Sequence, residues 1–90
     1  MNLTPTELLQ REVAAALSLS PAEVKLTDRL VLDLGAESLD LVDLTFRLEK
    51  TFHLQIPEGD LFESRSSSVQ ELTVQEVLNY LTKAQTSPHA

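Results

Sequence analysis

Apolar residues recur at three- and four-residue intervals over the first part of the chain, as in an amphipathic α-helix. The helix start is marked by Thr4-Pro5-Thr6-Glu7, where threonine caps, proline fits the first position and glutamate completes a capping box. The predicted buried face comprises Leu8, Leu9, Val13, Ala16 and Leu17. The pattern predicts a first helix that ends between residues 17 and 19.

The longest apolar pattern begins at Ser38, ends at Thr51 or Phe52, and contains two stripes on neighbouring helix faces. The stripe with the spacing of a core surface comprises Leu41, Leu44, Leu48 and Phe52. The second stripe comprises Leu39, Val42 and Phe46. A helix with so wide an apolar surface either packs on both sides or leaves one side exposed for a partner.

A third main helix is predicted near the end of the chain. The run Thr73-Val74-Gln75-Glu76 is another capping box, and the apolar face that follows comprises Val77, Leu78 and Leu81. A similar start at Ser20-Pro21-Ala22-Glu23 is followed by only a short apolar continuation, so about one helical turn is expected there. After Pro57, residues 58–62 fit a short helix or turn.

The connections between these helices differ in character. Residues 25–37 form a long loop that is too apolar to be solvated, so it should lie across the bundle and bury several side chains. Its apolar residues are Leu26, Leu30, Val31, Leu32 and Leu34. Residues 63–71, rich in serine, are the most loop-like part of the chain, and residues 84–90 are expected to be a disordered tail.

The predicted fold is all-α: a small four-helix bundle of three main helices and one short helix, with a long loop between the first two main helices. Ninety residues suffice for one domain, which we assign to residues 1–83. The composition supports helix over strand, because there are only two glycines and one tyrosine among many leucines, glutamates and alanines.

Charge and composition narrow the classes of function. Fourteen acidic and seven basic residues give a net charge of −7, which argues against a nucleic-acid partner and suits docking on basic surfaces. The absence of cysteine excludes disulfides and thiolate metal sites. No stretch approaches the ~20 apolar residues of a membrane span, and no signal peptide is evident. We expect a monomeric, cytoplasmic protein.

The candidate chemistry lies at the start of the second helix. Gly35 permits a tight turn, and Ser38 then falls at the first helical position, where the helix dipole favours a phosphate group. A catalytic triad of Ser38, His53 and Asp33 is excluded, since the serine and histidine are ~22 Å apart along one helix. His53 fits a local role at the helix C-terminus, and Asp40 with Asp43 are too few ligands for a specific cation site.

The run Leu34-Gly35-Ala36-Glu37-Ser38-Leu39 resembles the modification site of the acyl carrier protein family, whose usual pattern is Leu-Gly, a small residue and Asp-Ser-Leu. The resemblance is best over residues 33–57 and continues more weakly through residues 73–81. Thr27-Asp28, upstream of the glycine turn, also fits. The ordered set covers most of the chain.

The resemblance implies a non-enzymatic carrier whose Ser38 bears a 4'-phosphopantetheine arm. The implied partners are a phosphopantetheinyl transferase and acyl-loading and acyl-processing enzymes with basic docking surfaces. The implied docking residues are Glu37, Leu39, Asp40, Val42, Asp43, Phe46 and Glu49. The acyl chain would lodge between the second and third helices, against Leu44, Leu48, Ile56, Leu61 and Phe62. The cargo would serve fatty-acid, lipid or polyketide synthesis.

Three departures from the family pattern indicate a specialised carrier. Glu37 stands where aspartate is usual, which keeps the charge but lengthens the side chain. Arg47 and Lys50 interrupt a helix that is usually more acidic, so we expect different partner preferences. The segment between Pro57 and Thr73 is longer than usual. Two alternatives remain open: an unmodified helical adaptor that kept the carrier fold, and a carrier of aminoacyl thioesters.

Overall fold

Three α-helices and one short 3₁₀ helix make up the regular structure of the described residues. The computed structural model describes residues 3–57, 61 and 71–86 of the chain. The elements are α1 (Pro5–Leu17), a 3₁₀ helix (Pro21–Glu23), α2 (Ser38–Phe52) and α3 (Val74–Thr86). Within the described residues there is no β-strand, so the all-α prediction is confirmed.

The predicted capping boxes define the starts of α1 and α3. At α1, Thr4 Oγ1 accepts a hydrogen bond from the Glu7 amide at 3.2 Å, and the Thr4 amide donates to Glu7 Oε1 at 2.9 Å. At α3, Thr73 and Glu76 make the same reciprocal pair at 3.2 and 2.9 Å. Each pair satisfies amide groups that a helix start leaves without intrahelical partners. Both predicted helix starts are confirmed.

Left-handed residues terminate two of the helices. Ser18 follows α1 with φ of 60°, and His53 follows α2 with φ of 55°. His53 therefore occupies the end of α2, as predicted. The last helix, α3, continues to Thr86, three residues past the predicted domain boundary at residue 83. The rest of the predicted tail, 87–90, lies outside the described residues.

A single hydrophobic core joins the helices, and α1 packs against both α2 and α3. The core leucines Leu9, Leu44, Leu48 and Leu81 are at most 1 % exposed. On α1, however, Ala14 is buried, whereas Ala16 and Leu17 of the predicted face are only partly buried. The 3₁₀ helix after α1 packs against α1, and Gln10 Nε2, one turn before Ala14, donates to the carbonyl of Val24 at 2.8 Å.

The long loop lies across the bundle and is held to the start of α3. Its Leu30 is 1 % exposed, and the Leu30 amide donates to the Leu72 carbonyl at 3.0 Å. The Val74 amide donates to the Asp28 carbonyl at 2.9 Å in the same short antiparallel bridge. The predicted burial of this loop is confirmed, except that Leu32 is half exposed. Leu32 lies within a tight turn, where not every side chain can face the core.

Two features shape the turn that leads into α2. Gly35 has a left-handed φ of 77°, and its amide donates to the Val31 carbonyl at 3.0 Å. Arg29 holds Asp33 with two side-chain hydrogen bonds, Nε to Oδ2 at 3.0 Å and Nη2 to Oδ1 at 3.1 Å. The Arg29 amide also donates to Asp33 Oδ2 at 2.8 Å. The turn is thus fixed by backbone geometry and by a two-point ion pair.

Replacing Gly35 with alanine should lower the free energy of unfolding by about 1–2 kcal/mol, because a β-carbon is disfavoured at positive φ. Crowding is not involved, since an added β-carbon meets no atom within 4 Å. Urea denaturation of the wild type, Gly35→Ala and Gly35→Asn measures the effect. Asparagine, which enters the left-handed region more readily, should cost less than alanine. Equal stability of Gly35→Ala and the wild type would contradict this account of the turn.

Replacing Arg29 with glutamine should raise the pKa of Asp33. The Arg29 side-chain hydrogen bond, followed by its backbone amide, holds the pKa of this carboxyl below its usual range. The lowered pKa means that the ion pair stabilises the fold above about pH 4 and that this stabilisation is lost as the pH falls through the folded-state pKa. NMR titration of the Asp33 carboxyl carbon measures the shift, with Lys25→Gln as the control. An unchanged Asp33 pKa in Arg29→Gln would show that Arg29 is not the cause of the lowered pKa.

Candidate functional site

Ser38 is the first residue of α2 and is exposed to solvent. The Gly35 turn ends three residues earlier, and Glu37 adopts extended backbone as the N-cap. The Glu37 amide donates to Asp40 Oδ2 at 3.0 Å, so the first turn of α2 holds the residue before the serine. A hydroxyl at this position is accessible and lies at the positive end of a fifteen-residue helix, which favours an attached phosphate.

Next to Ser38, α2 presents an apolar surface to solvent. Leu39 is 81 % exposed, Val42 48 % and Phe46 64 %; we call these three residues the exposed stripe. On the opposite side of α2, Leu44, Leu48 and Phe52 are buried, and Leu41 is partly buried. The two predicted stripes are therefore separated into a packed face and an open face. Burial of the whole apolar surface in the core is excluded.

Several predicted docking carboxylates have partners within the fold. Besides Asp40 at the helix start, Asp43 Oδ2 accepts a hydrogen bond from Arg47 Nε at 2.8 Å. Glu49 Oε2 accepts from the Ile56 amide at 2.8 Å and so fixes the segment after α2. The four-residue spacing of Asp43 and Arg47 is a signal that sequence reasoning missed. The Glu49 contact has no such signal, because it depends on how the chain turns back.

Arg47 also connects α2 to α1. Its Nη1 lies 3.7 Å from Glu12 Oε1, and Thr51 Oγ1 donates to Glu12 Oε2 at 2.8 Å. The hydrogen bond from Arg47 to Asp43 and the carboxylate charges raise the pKa of the guanidinium. Arg47 thus belongs to a brace between the two helices, and its positive charge is balanced by two carboxylates of the same molecule.

Four of the five predicted acyl-pocket residues lie together in the core. Leu44, Leu48, Ile56 and Leu61 are at most 5 % exposed and belong to one cluster of buried side chains. Phe62 lies outside the described residues. Near them, Gln85 Nε2 donates to the Phe52 carbonyl at 3.1 Å and ties the end of α3 to the end of α2. The structure therefore brings the predicted wall residues into one apolar region.

The described residues offer little other chemistry. Ser38 and His53 mark opposite ends of α2, which agrees with the exclusion of a triad. No group of three or more His, Cys, Asp or Glu residues in the described part could hold a metal ion.

An open cleft of about 340 Å³ lies beside the 3₁₀ helix, lined by Leu19, Glu23, Lys25, Asp28, Asp33 and Leu34. None of the described helices has the length and apolar character needed to span a bilayer.

Replacing Glu37 with aspartate should raise the free energy of unfolding by up to about 1 kcal/mol. Glu37 occupies the N-cap of α2, where a shorter carboxylate reaches the first-turn amides in a better geometry. Thermal and urea unfolding of Glu37→Asp measure the gain, and Glu37→Gln separates side-chain length from charge. A Glu37→Asp protein less stable than the wild type would show that the longer side chain suits this cap.

Comparison with known proteins assigns the chain to a family. A family model described as "Phosphopantetheine attachment site" matches residues 7–81. The acyl carrier protein of Campylobacter concisus is 38 % identical over 71 residues, covering 79 % of this chain and 83 % of that protein. The acyl carrier protein of Phaeodactylum tricornutum is 41 % identical over 75 residues, covering 83 % and 90 %. The chain therefore belongs to the acyl carrier protein family, whose members are non-enzymatic carriers with phosphopantetheine as their cofactor.

Proposed function

We propose that Ser38 is the attachment residue for 4'-phosphopantetheine and that the protein holds acyl intermediates as thioesters on this arm. The observation that carries the proposal is the position of the Ser38 hydroxyl. It is exposed at the first residue of α2, directly after the Gly35 turn, inside the region matched by the family model. A long arm on an exposed residue reaches an enzyme's active site without any catalytic group on the carrier.

The surroundings of Ser38 suit a phosphodiester. Its Oγ would bond to the phosphorus of the phosphopantetheine group of coenzyme A, with loss of the hydroxyl proton and release of 3',5'-adenosine bisphosphate. The negative charge of the new ester would lie at the N-terminus of α2, where the helix dipole stabilises it. Solvent exposure of the serine leaves room for the transferase that performs this reaction.

We place the acyl chain in the apolar region formed by Leu44, Leu48, Ile56 and Leu61; the further predicted wall residue, Phe62, lies outside the described residues. Burial of the four side chains in one cluster supports this choice. Each methylene transferred from water to such a region is stabilised by roughly 0.8 kcal/mol. Because these side chains are already packed, an acyl chain must displace some of their contacts, which limits its affinity and allows its release.

We propose the exposed stripe as the centre of the docking surface, bordered by the carboxylates Glu37, Asp40, Asp43 and Glu49. Apolar side chains as exposed as Leu39 and Phe46 favour contact with a partner. The surrounding acidic residues favour partners with basic surfaces and would chiefly raise the rate of encounter. The partners we propose are a phosphopantetheinyl transferase and enzymes of fatty-acid, lipid or polyketide synthesis. We further propose that the carrier works as a monomer in the cytoplasm, which its lack of cysteine permits.

Intact mass spectrometry after incubation with coenzyme A and a broad-specificity phosphopantetheinyl transferase tests the attachment site. The wild type should gain the mass of one phosphopantetheine, and Ser38→Ala should gain none. Ser20→Ala is the matched control, because Ser20 is likewise an exposed serine at the start of a helical turn, the 3₁₀ helix, and its replacement should not affect loading. Circular dichroism confirms that each variant is folded.

Loading of Ser38→Ala, or failure of the folded wild type to load with several transferases, would overturn the proposal. The unmodified adaptor would then be the favoured function. If loading succeeds, mass spectrometry of the protein purified from its native source identifies the thioester. An aminoacyl rather than an acyl group on the arm would correct the proposed cargo but keep the site.

A further inference from the structure

The charges on α2 and its N-cap are unevenly distributed along the helix. Residues 37–43 contain three carboxylates and no lysine or arginine, whereas residues 44–53 contain one arginine, one lysine and one carboxylate. The contacts of these groups within the fold differ. Arg47 is paired with Asp43 and Glu12, and Glu49 accepts from the Ile56 amide. Lys50 is therefore the basic residue of 44–53 that no ion pair within the described residues balances.

Lys50 extends the exposed stripe. It follows Leu39 by eleven residues and Phe46 by four, so the three side chains lie on one face of the helix. Lys50 itself is exposed, and no ion pair joins it to another residue in the described part of the chain. A protein that covers Leu39 and Phe46 would thus also meet the Lys50 ammonium.

We propose that Lys50 is a specificity-determining residue of the docking surface and that the matching partner is an enzyme with a carboxylate facing it. This inference rests on the proposed function. The same partner presents an apolar depression to the exposed stripe and a basic group to the acidic start of α2. Its docking surface is divided into a basic part and an acidic part, instead of being basic throughout.

The physical basis is the cost of bringing like charges together at a contact. A lysine or arginine of a uniformly basic partner would approach Lys50 while other basic groups approach Glu37 and Asp40. Such a juxtaposition slows encounter and disfavours the wrong partner, whereas an opposing carboxylate favours the right one. Arg47 repels a basic partner less than Lys50 does, because two carboxylates of its own molecule lie beside its guanidinium.

The test uses a broad-specificity phosphopantetheinyl transferase with a basic docking surface as the probe. Lys50→Glu should raise kcat/KM for loading about two- to fivefold at low salt, and Lys50→Gln should raise it less. The matched control is Lys83→Glu, which makes the same change of charge in the last turn of α3. Lys83→Glu should change kcat/KM by less than the Lys50 variants. The gain at Lys50 should shrink as ionic strength rises.

A reciprocal charge change tests the complementary group. Basic residues on the docking surface of the transferase are replaced singly by glutamate. At least one such transferase variant should load the wild-type carrier faster than the Lys50→Glu carrier. The unmodified transferase should show the opposite order. Circular dichroism of every carrier variant excludes altered folding as the cause.

The outcomes separate this inference from the function on which it rests. Full loading of every carrier variant at equal rates would overturn the role of Lys50 and leave Ser38 as the attachment residue. Equal gains for Lys50→Glu and Lys83→Glu would mean that only net charge matters, which also overturns it. Failure of the folded wild type to load at all would overturn the proposed function itself.

Discussion

The backbone contact between the long loop and the start of α3 holds the loop in place, and so positions the turn that leads into α2. The Leu30 amide binds the Leu72 carbonyl, and the Val74 amide binds the Asp28 carbonyl, so two distant segments are joined beside a buried leucine. From this anchor the chain has only a few residues in which to reverse and begin α2. The left-handed Gly35 makes that reversal possible, and Ser38 emerges at the helix start.

The second helix has a structural face and a face that is free to interact. Its packed side contributes Leu44, Leu48 and Phe52 to the core, while Leu39 and Phe46 on the other side remain in solvent. Two carboxylates of the helix also have structural contacts. Asp43 accepts a hydrogen bond from Arg47 and Glu49 accepts one from the Ile56 amide, so both groups would meet a partner while already bonded within the fold.

Much of this organisation follows from local signals. Capping boxes at Thr4 and Thr73 mark helix starts whose hydrogen bonds form between residues three apart, and apolar spacing separates the two stripes of α2. The glycine, the serine and their order also indicated the candidate site. The loop was predicted to bury several of its apolar side chains, but Leu32 is half exposed, and apolar character in a loop does not specify which way a tight turn directs each side chain.

The sequence by itself determined the all-α class, the helix starts and the placement of Ser38, because these depend on spacing and on contacts between near neighbours. Only the tertiary structure decided that the second α2 stripe is exposed instead of packed and which charges are balanced internally. Gln10 of α1 meets the Val24 carbonyl after the 3₁₀ helix, and Arg47 meets Glu12 across two helices. Such contacts join residues on different elements, so periodicity along one helix does not predict them.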